Sequence, residues 1–65
     1  MNDYDRTKIT ELLIKSKCFR YGVEIHSIKS IGNIIIVNNK YSFNTFETID
    51  EIDSKIKAIK DKSDD

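Results

Sequence analysis

A chain of 65 residues with one cysteine, Cys18, and one histidine, His26, has neither an internal disulfide nor a four-ligand zinc site to support it, although a core of this size rarely supplies more than ~3–5 kcal/mol unaided. Its 34% charged and 38% hydrophobic residues make the mixture of an ordinary globular domain, and neither a run of the ~18–20 apolar residues that span a bilayer nor a secretory segment in residues 1–5 is written in it, so a single cytoplasmic domain with no membrane partner and no cofactor is expected. The net charge is zero, but residues 1–40 hold seven Lys/Arg against four Asp/Glu and residues 41–65 hold four against seven, a bias too small for the basic excess of most nucleic-acid binders, which leaves nucleic acid open and unfavoured.

In chain order, residues 5–18 read as a helix. Asp5 or Thr7 can accept backbone N–H bonds at its start, and Ile9, Leu12 and Leu13 recur at helical spacing. A start at Thr10 is the rival reading. From Phe19 the period changes to two: Phe19, Tyr21, Val23 and Ile25 alternate with Arg20, Gly22, Glu24 and His26, as in a half-buried strand. Ile28 falls out of phase, which a bulge near Ser27 or an early strand end would explain. Ser30-Ile31-Gly32-Asn33 supplies a turn.

Ile34-Ile35-Ile36-Val37 is a run of four β-branched residues and the clearest strand. Asn38-Asn39 suits a two-residue type I′ hairpin into Lys40-Tyr41-Ser42-Phe43. That register pairs Ile36 with Tyr41 and Ile34 with Phe43 on one face, and Ile35 with Ser42 and Val37 with Lys40 on the other. The last element is a helix capped by Thr45, with acids in its first half and Lys55, Lys57, Lys60 and Lys62 in its second, matching the macrodipole. Glu51–Lys55 and Asp53–Lys57 have i,i+4 spacing. Ile49, Ile52, Ile56 and Ile59 fall within about 80° of arc, and fraying is expected over 62–65. The order is α-β-β-β-α: a three-stranded antiparallel sheet flanked by two helices, of the α+β class.

No phosphate loop, nucleophile elbow or zinc pattern occurs, so no catalytic residue is assigned. His26 reads as a solvent-facing or hydrogen-bonded strand residue, and Cys18 as a small buried hydrophobe. Glu47, Asp50, Glu51 and Asp53 lack the glycine turn of a calcium loop. Three surfaces are candidates for binding. With both helices on the Ile34/Ile36/Tyr41/Phe43 side, Ile35, Val37 and Ile28 face outward beside Lys29, Lys40 and Ser42, an apolar cluster that invites a partner or a homodimer. A helix crossing to that side is the alternative. The acidic run Glu47, Asp50, Glu51 and Asp53 could meet a basic groove, and Lys15, Lys17 and Arg20 could meet phosphate.

The segment from Lys40-Tyr41-Ser42-Phe43-Asn44-Thr45-Phe46 to Glu47-Thr48-Ile49-Asp50-Glu51-Ile52 resembles a pattern of small phage and prophage proteins of A/T-rich bacteria: an aromatic-x-aromatic strand running through a threonine cap into a terminal amphipathic helix. The likeness is architectural and carries no site residue. It implies a protein that binds one host or phage macromolecule and blocks or redirects it, as anti-CRISPR and other anti-defence inhibitors do. The expectation is a non-enzymatic module that binds a host or phage protein. A nucleic-acid-binding regulator using Lys15, Lys17, Arg20, Lys29 and Lys40, or a self-assembling structural protein, is the alternative.

Overall fold

The computed structural model describes residues 3–63. In order they form α1 (Asp3–Tyr21), β1 (Ile28–Ile31), β2 (Ile34–Val37), β3 (Tyr41–Asn44) and α2 (Ile49–Ser63), the α-β-β-β-α arrangement read from the sequence. Both strand pairs are antiparallel, in the order β1-β2-β3.

α1 is longer than expected at both ends, so Asp5 and Thr7 lie inside it and not at its N-cap position. Its C-terminus is closed by a Schellman motif. Gly22 adopts φ 73°, its N–H donates to Phe19 O at 3.3 Å, and the Val23 N–H reaches Cys18 O at 2.8 Å. These are the two bonds that satisfy the last carbonyls of a helix ending in a left-handed glycine. Cys18 and Val23, the residues they bring together, pack in the same core cluster. The expected strand over Phe19–Ile25 therefore does not form. Phe19 and Tyr21 are helical, residues 22–27 form a loop, and the first strand is the short Ile28–Ile31.

Gly32 and Asn33 join β1 to β2, with φ 60° at Gly32, the positive first position that a type II′ hairpin needs. At the second hairpin, Asn38 and Asn39 both take left-handed φ, 57° and 56°, and the Lys40 N–H closes on Val37 O at 3.1 Å. The type I′ turn is where the sequence placed it. Lys40, however, is an extra residue: Val37 pairs with Tyr41, and Ile35 with Phe43. A one-residue slip sends a strand's alternate side chains to the other face. Ile35 and Val37 accordingly point inward at 0% and 1% exposure, which corrects the expectation that they face outward.

Both helices cover that inner face. The core joins Ile14 and Cys18 of α1, Ile35 and Val37 of β2, Phe43 of β3, and Ile52 and Ile56 of α2, with Leu13, Val23, Ile28, Tyr41 and Ile59 packed around it. The result is two layers, helices on sheet, with the other sheet face open. The cap of α2 lies three residues later than expected, at Thr48. Thr48 Oγ1 accepts the Glu51 N–H at 3.2 Å, and Glu51 Oε1 accepts the Thr48 N–H at 3.0 Å, a reciprocal capping box. Thr45 is instead a buried turn residue whose N–H donates to Asn33 O at 2.9 Å. Of the expected stripe, Ile52 and Ile56 are buried and Ile59 half-buried, but Ile49, at the first helical position, is 60% exposed. α2 continues to Ser63, so of the expected frayed tail Lys62 and Ser63 are helical, while Asp64 and Asp65 lie outside the described residues.

Candidate functional site

Of the two residues weighed for chemistry, Cys18 lies in the core and His26 at the surface. Cys18 is buried, and burial pushes its thiol pKa up, the opposite of nucleophile activation. His26 is exposed, 3.5 Å from the Glu24 carboxylate, in the loop that Asn38 holds down. The Asn38 side-chain oxygen accepts the N–H groups of His26 and Ser27 at 2.6 and 3.2 Å, and its nitrogen donates to Glu24 O at 3.0 Å. Among the described residues no group of three His, Cys, Asp or Glu side chains could hold a metal ion, and no helix is long and apolar enough to cross a membrane.

The acidic run does not form one patch. Glu47 turns back to the free edge of β3. Its Oε1 accepts the Asn44 N–H at 3.0 Å and meets Lys55 Nζ at 2.6 Å, while the same ammonium reaches Ser42 O at 3.4 Å. This ion pair occupies backbone groups that a further strand would use, one way of closing an edge against aggregation. Glu51 is committed to the capping box, and the Thr48 N–H it accepts holds its carboxyl below the usual range. Asp53 takes the Tyr21 hydroxyl at 3.0 and 2.9 Å and Lys17 Nζ at 3.1 Å. The tyrosine bond first, and then the lysine, depress its pKa, while the same bond raises that of Tyr21. Asp50 stays exposed. Of the expected pairs, Lys55 makes its close contact with Glu47 while its charge still lowers the Glu51 pKa, and Asp53 pairs with Lys17 in place of Lys57.

The basic triad is likewise divided. Lys15 and Arg20 are exposed, whereas Lys17 turns under α1 to Asp53. Arg20 sits over the Tyr21 ring at 6.0 Å. Of the sheet candidates, Ile28 is half-buried on the inner side and Lys29 is exposed on the outer side beside Ile36. Lys40 lies over the Tyr41 ring at 5.3 Å, at the rim of a hollow of about 280 Å³ between β3 and α2, floored by Tyr41, Phe43 and Ile59.

What is exposed instead is apolar and differently placed. The outer sheet face carries Ile31 and Ile34, 66% and 38% exposed, with half-buried Ile36 between them and Lys29. The outer face of α1 carries Ile9, Leu12 and Phe19 at 51%, 56% and 90%. Phe46 and Ile49, each 60% exposed, stand at the entry to α2. There Arg6 stacks on the Phe46 ring at 4.7 Å, and Ile9, Leu13, Ile49 and Ile52 line a groove of about 230 Å³. In the sequence Ile9 and Leu12 share one helical stripe with Leu13, which hides this region. The distinguishing signal was available: Ile9, Leu12 and Phe19 follow one helical line only if α1 continues through Tyr21. No protein-family model, curated protein or solved structure matches this chain.

Proposed function

We propose that this chain is a non-enzymatic protein-binding module, of the inhibitor or modulator kind that the resemblance in residues 40–52 implies. The carrying observation is the large apolar side chains left in solvent on α1, Ile9, Leu12 and Phe19. Monomers rarely leave large contiguous apolar patches exposed unless something covers them. Phe19 could be polar at no cost to the fold as described, since it is 90% exposed. The pairing of Lys17 with Asp53, away from the exposed Lys15 and Arg20, supports this reading over phosphate contact by the triad.

Immobilised chain should retain a protein from a nuclease-treated bacterial lysate. Failure to retain protein there, with retention of nucleic acid from an untreated lysate that is lost steeply with salt as counterion release requires, would overturn this reading. The open Ile31/Ile34/Ile36 face supports self-association as a second reading. Sedimentation equilibrium decides it: a dimer dispersed by Ile34→Lys would place the contact there, and a monomer at tens of micromolar would exclude it.

A further inference from the structure

We infer that the outer face of α1 is a docking strip for an acidic amphipathic helix, laid along it as the second strand of a short coiled coil. This rests on the protein-binding reading and names the partner's chemistry. Asp5, Ile9, Leu12, Ser16 and Phe19 follow one another at steps of four, three, four and three residues, the a/d alternation of a heptad seam. At ~100° per residue they fall within about 80° of arc, on the side opposite Thr10, Ile14 and Cys18. Those three are buried at 5%, 0% and 2% exposure, while Ile9, Leu12 and Phe19 remain in solvent. α1 is therefore apolar on two opposite faces, and only one has found a partner within the chain.

The charges beside the seam select what can cover it. Flanking positions set partner choice in paired helices, and here they hold Arg6, the core-packed Leu13 and Arg20 on one side and Lys8 and Lys15 on the other. Lys8, Lys15 and Arg20 are exposed, and Arg6 is half-buried against Phe46. The acids nearby are Asp5 at the end of the seam and half-buried Glu11 beyond Lys15, with Asp53 close enough to Arg20 to feel its charge. A second copy, in either orientation, would set these cations against one another. A helix with Glu or Asp at its own flanking positions would meet opposite charge at Lys8 and Lys15 on one side and at Arg6 and Arg20 on the other.

An anionic bilayer also attracts basic amphipathic helices, but those present a broad apolar face. This strip is narrow, is interrupted by Asp5 and Ser16, and belongs to a helix sealed into a core on its other side. Its N-terminal end opens into the groove between Ile9, Leu13, Ile49 and Ile52, a socket for one large apolar side chain of the partner. From Asp5 to Phe19 the contact runs about 21 Å at 1.5 Å per residue. An interface that small belongs to the weak, transient class.

Two synthetic peptides of about three heptads test this, both with Leu at a and d, one with Glu and the other with Lys at e and g. Titrated into the full chain and followed by amide shifts, the Glu peptide should bind with micromolar Kd at low salt, at least about tenfold more tightly than the Lys peptide. The shifts should follow residues 5–20. Leu12→Glu and Phe19→Glu, each shown folded by circular dichroism, should each weaken it at least about tenfold. Equal affinity for the two peptides, or shifts confined to the sheet, overturns the proposal. So does tighter capture by phosphatidylserine vesicles than by the Glu peptide, or a dimer of the chain that Phe19→Glu disperses. Lysate capture that persists undiminished in Phe19→Glu overturns the docking strip and leaves the protein-binding reading standing. Loss of all protein capture by wild type overturns both.

Discussion

The two helices pack side by side on one sheet face, yet their sequences are accounted for to different degrees. In α2 nearly every choice serves the fold. Its buried positions are Ile52 and Ile56, Glu51 closes the N-terminal capping box, and Asp53 ties it to α1 through Tyr21 and Lys17. Its acids come first and its lysines last, as the macrodipole favours. In α1 the fold uses Thr10, Ile14, Lys17, Cys18 and Tyr21, and leaves Ile9, Leu12 and Phe19 unexplained. A helix with one apolar stripe needs only its own core. A helix with two presents a second face that the fold of this chain does not cover, and the proposed docking strip rests on that surplus.

The sharpest way to break the comparison is to place a charge on each face in turn. Ile52→Asp on α2 and Ile14→Asp on the inner face of α1 should each unfold the domain, because burying an unpaired carboxylate costs several kcal/mol against a total of ~3–5 kcal/mol. Val37→Lys should do the same, since Val37 is 1% exposed. Leu12→Asp should change stability by no more than ~0.5 kcal/mol, the ordinary range for a surface site. Circular dichroism with thermal melts reads all four. Unfolding of Leu12→Asp would make the outer stripe part of the core.

How far the fold was legible in the sequence follows from the same residues. The element order, the β2 run and the Asn38-Asn39 turn could be read because each rests on local chemistry: β-branched side chains, two residues able to take positive φ, one narrow stripe. Three readings failed where a local pattern served two structures equally well. Phe19 to Ile25 alternates as a strand does, but Gly22 is a helix C-cap, and with Lys15, Lys17 and Arg20 ahead of it the stop signal was present and outweighed. Thr45 and Thr48 are both plausible caps, and Glu51 three residues after Thr48 selects the second. The strand faces turned on Lys40, because one residue beyond a correctly placed turn moves Ile35 and Val37 from solvent to core. The candidate site depended on the helix end and on that register, so it could not be read until both were known.

Asn38 supplies the next largest test, because it holds the 22–27 loop to the sheet. Asn38→Ala removes three hydrogen bonds and puts an alanine at φ 57°. It should cost ~1–3 kcal/mol, from alanine held in left-handed φ together with hydrogen bonds that water partly replaces at this exposed loop. Asn38→Gly keeps the turn conformation and should recover the backbone part of that loss. Equal melting temperatures for the two variants would mean that the hydrogen bonds alone matter. Smaller again are the two threonines that compete for the cap. Thr48→Ala should cost ~1 kcal/mol. Thr45→Val should be neutral or stabilising, because the Thr45 hydroxyl is buried without a hydrogen-bond partner and removing an unpaired buried polar group relieves its desolvation. A Thr45→Val variant that melts lower than Thr48→Ala would return the cap to Thr45.

The smallest expected effect is the one that joins the helices, the Tyr21–Asp53 contact, and its sign is set at both ends of the pH scale. Asp53 has a folded-state pKa below the ordinary carboxylate value of about 4. Its contribution is therefore present above that value and lost as pH falls through the lower folded one. Tyr21 has a folded-state pKa above the ordinary phenol value of about 10. Its contribution is present below that value and lost as pH rises through the higher folded one. Both shifts arise first from the same hydrogen bond, so Tyr21→Phe should abolish the Tyr21 shift and reduce the Asp53 shift to the part that Lys17 and Arg20 supply. The stability difference between wild type and Tyr21→Phe should be widest across neutral pH and narrow towards both extremes. Glu51, depressed by Thr48, should keep part of the acid loss in the variant, and adding Thr48→Ala should remove that part as well. Thermal melts across the pH range would show this, and a constant offset between the two proteins at every pH would mean that the ring, and not the hydroxyl, holds α1 to α2.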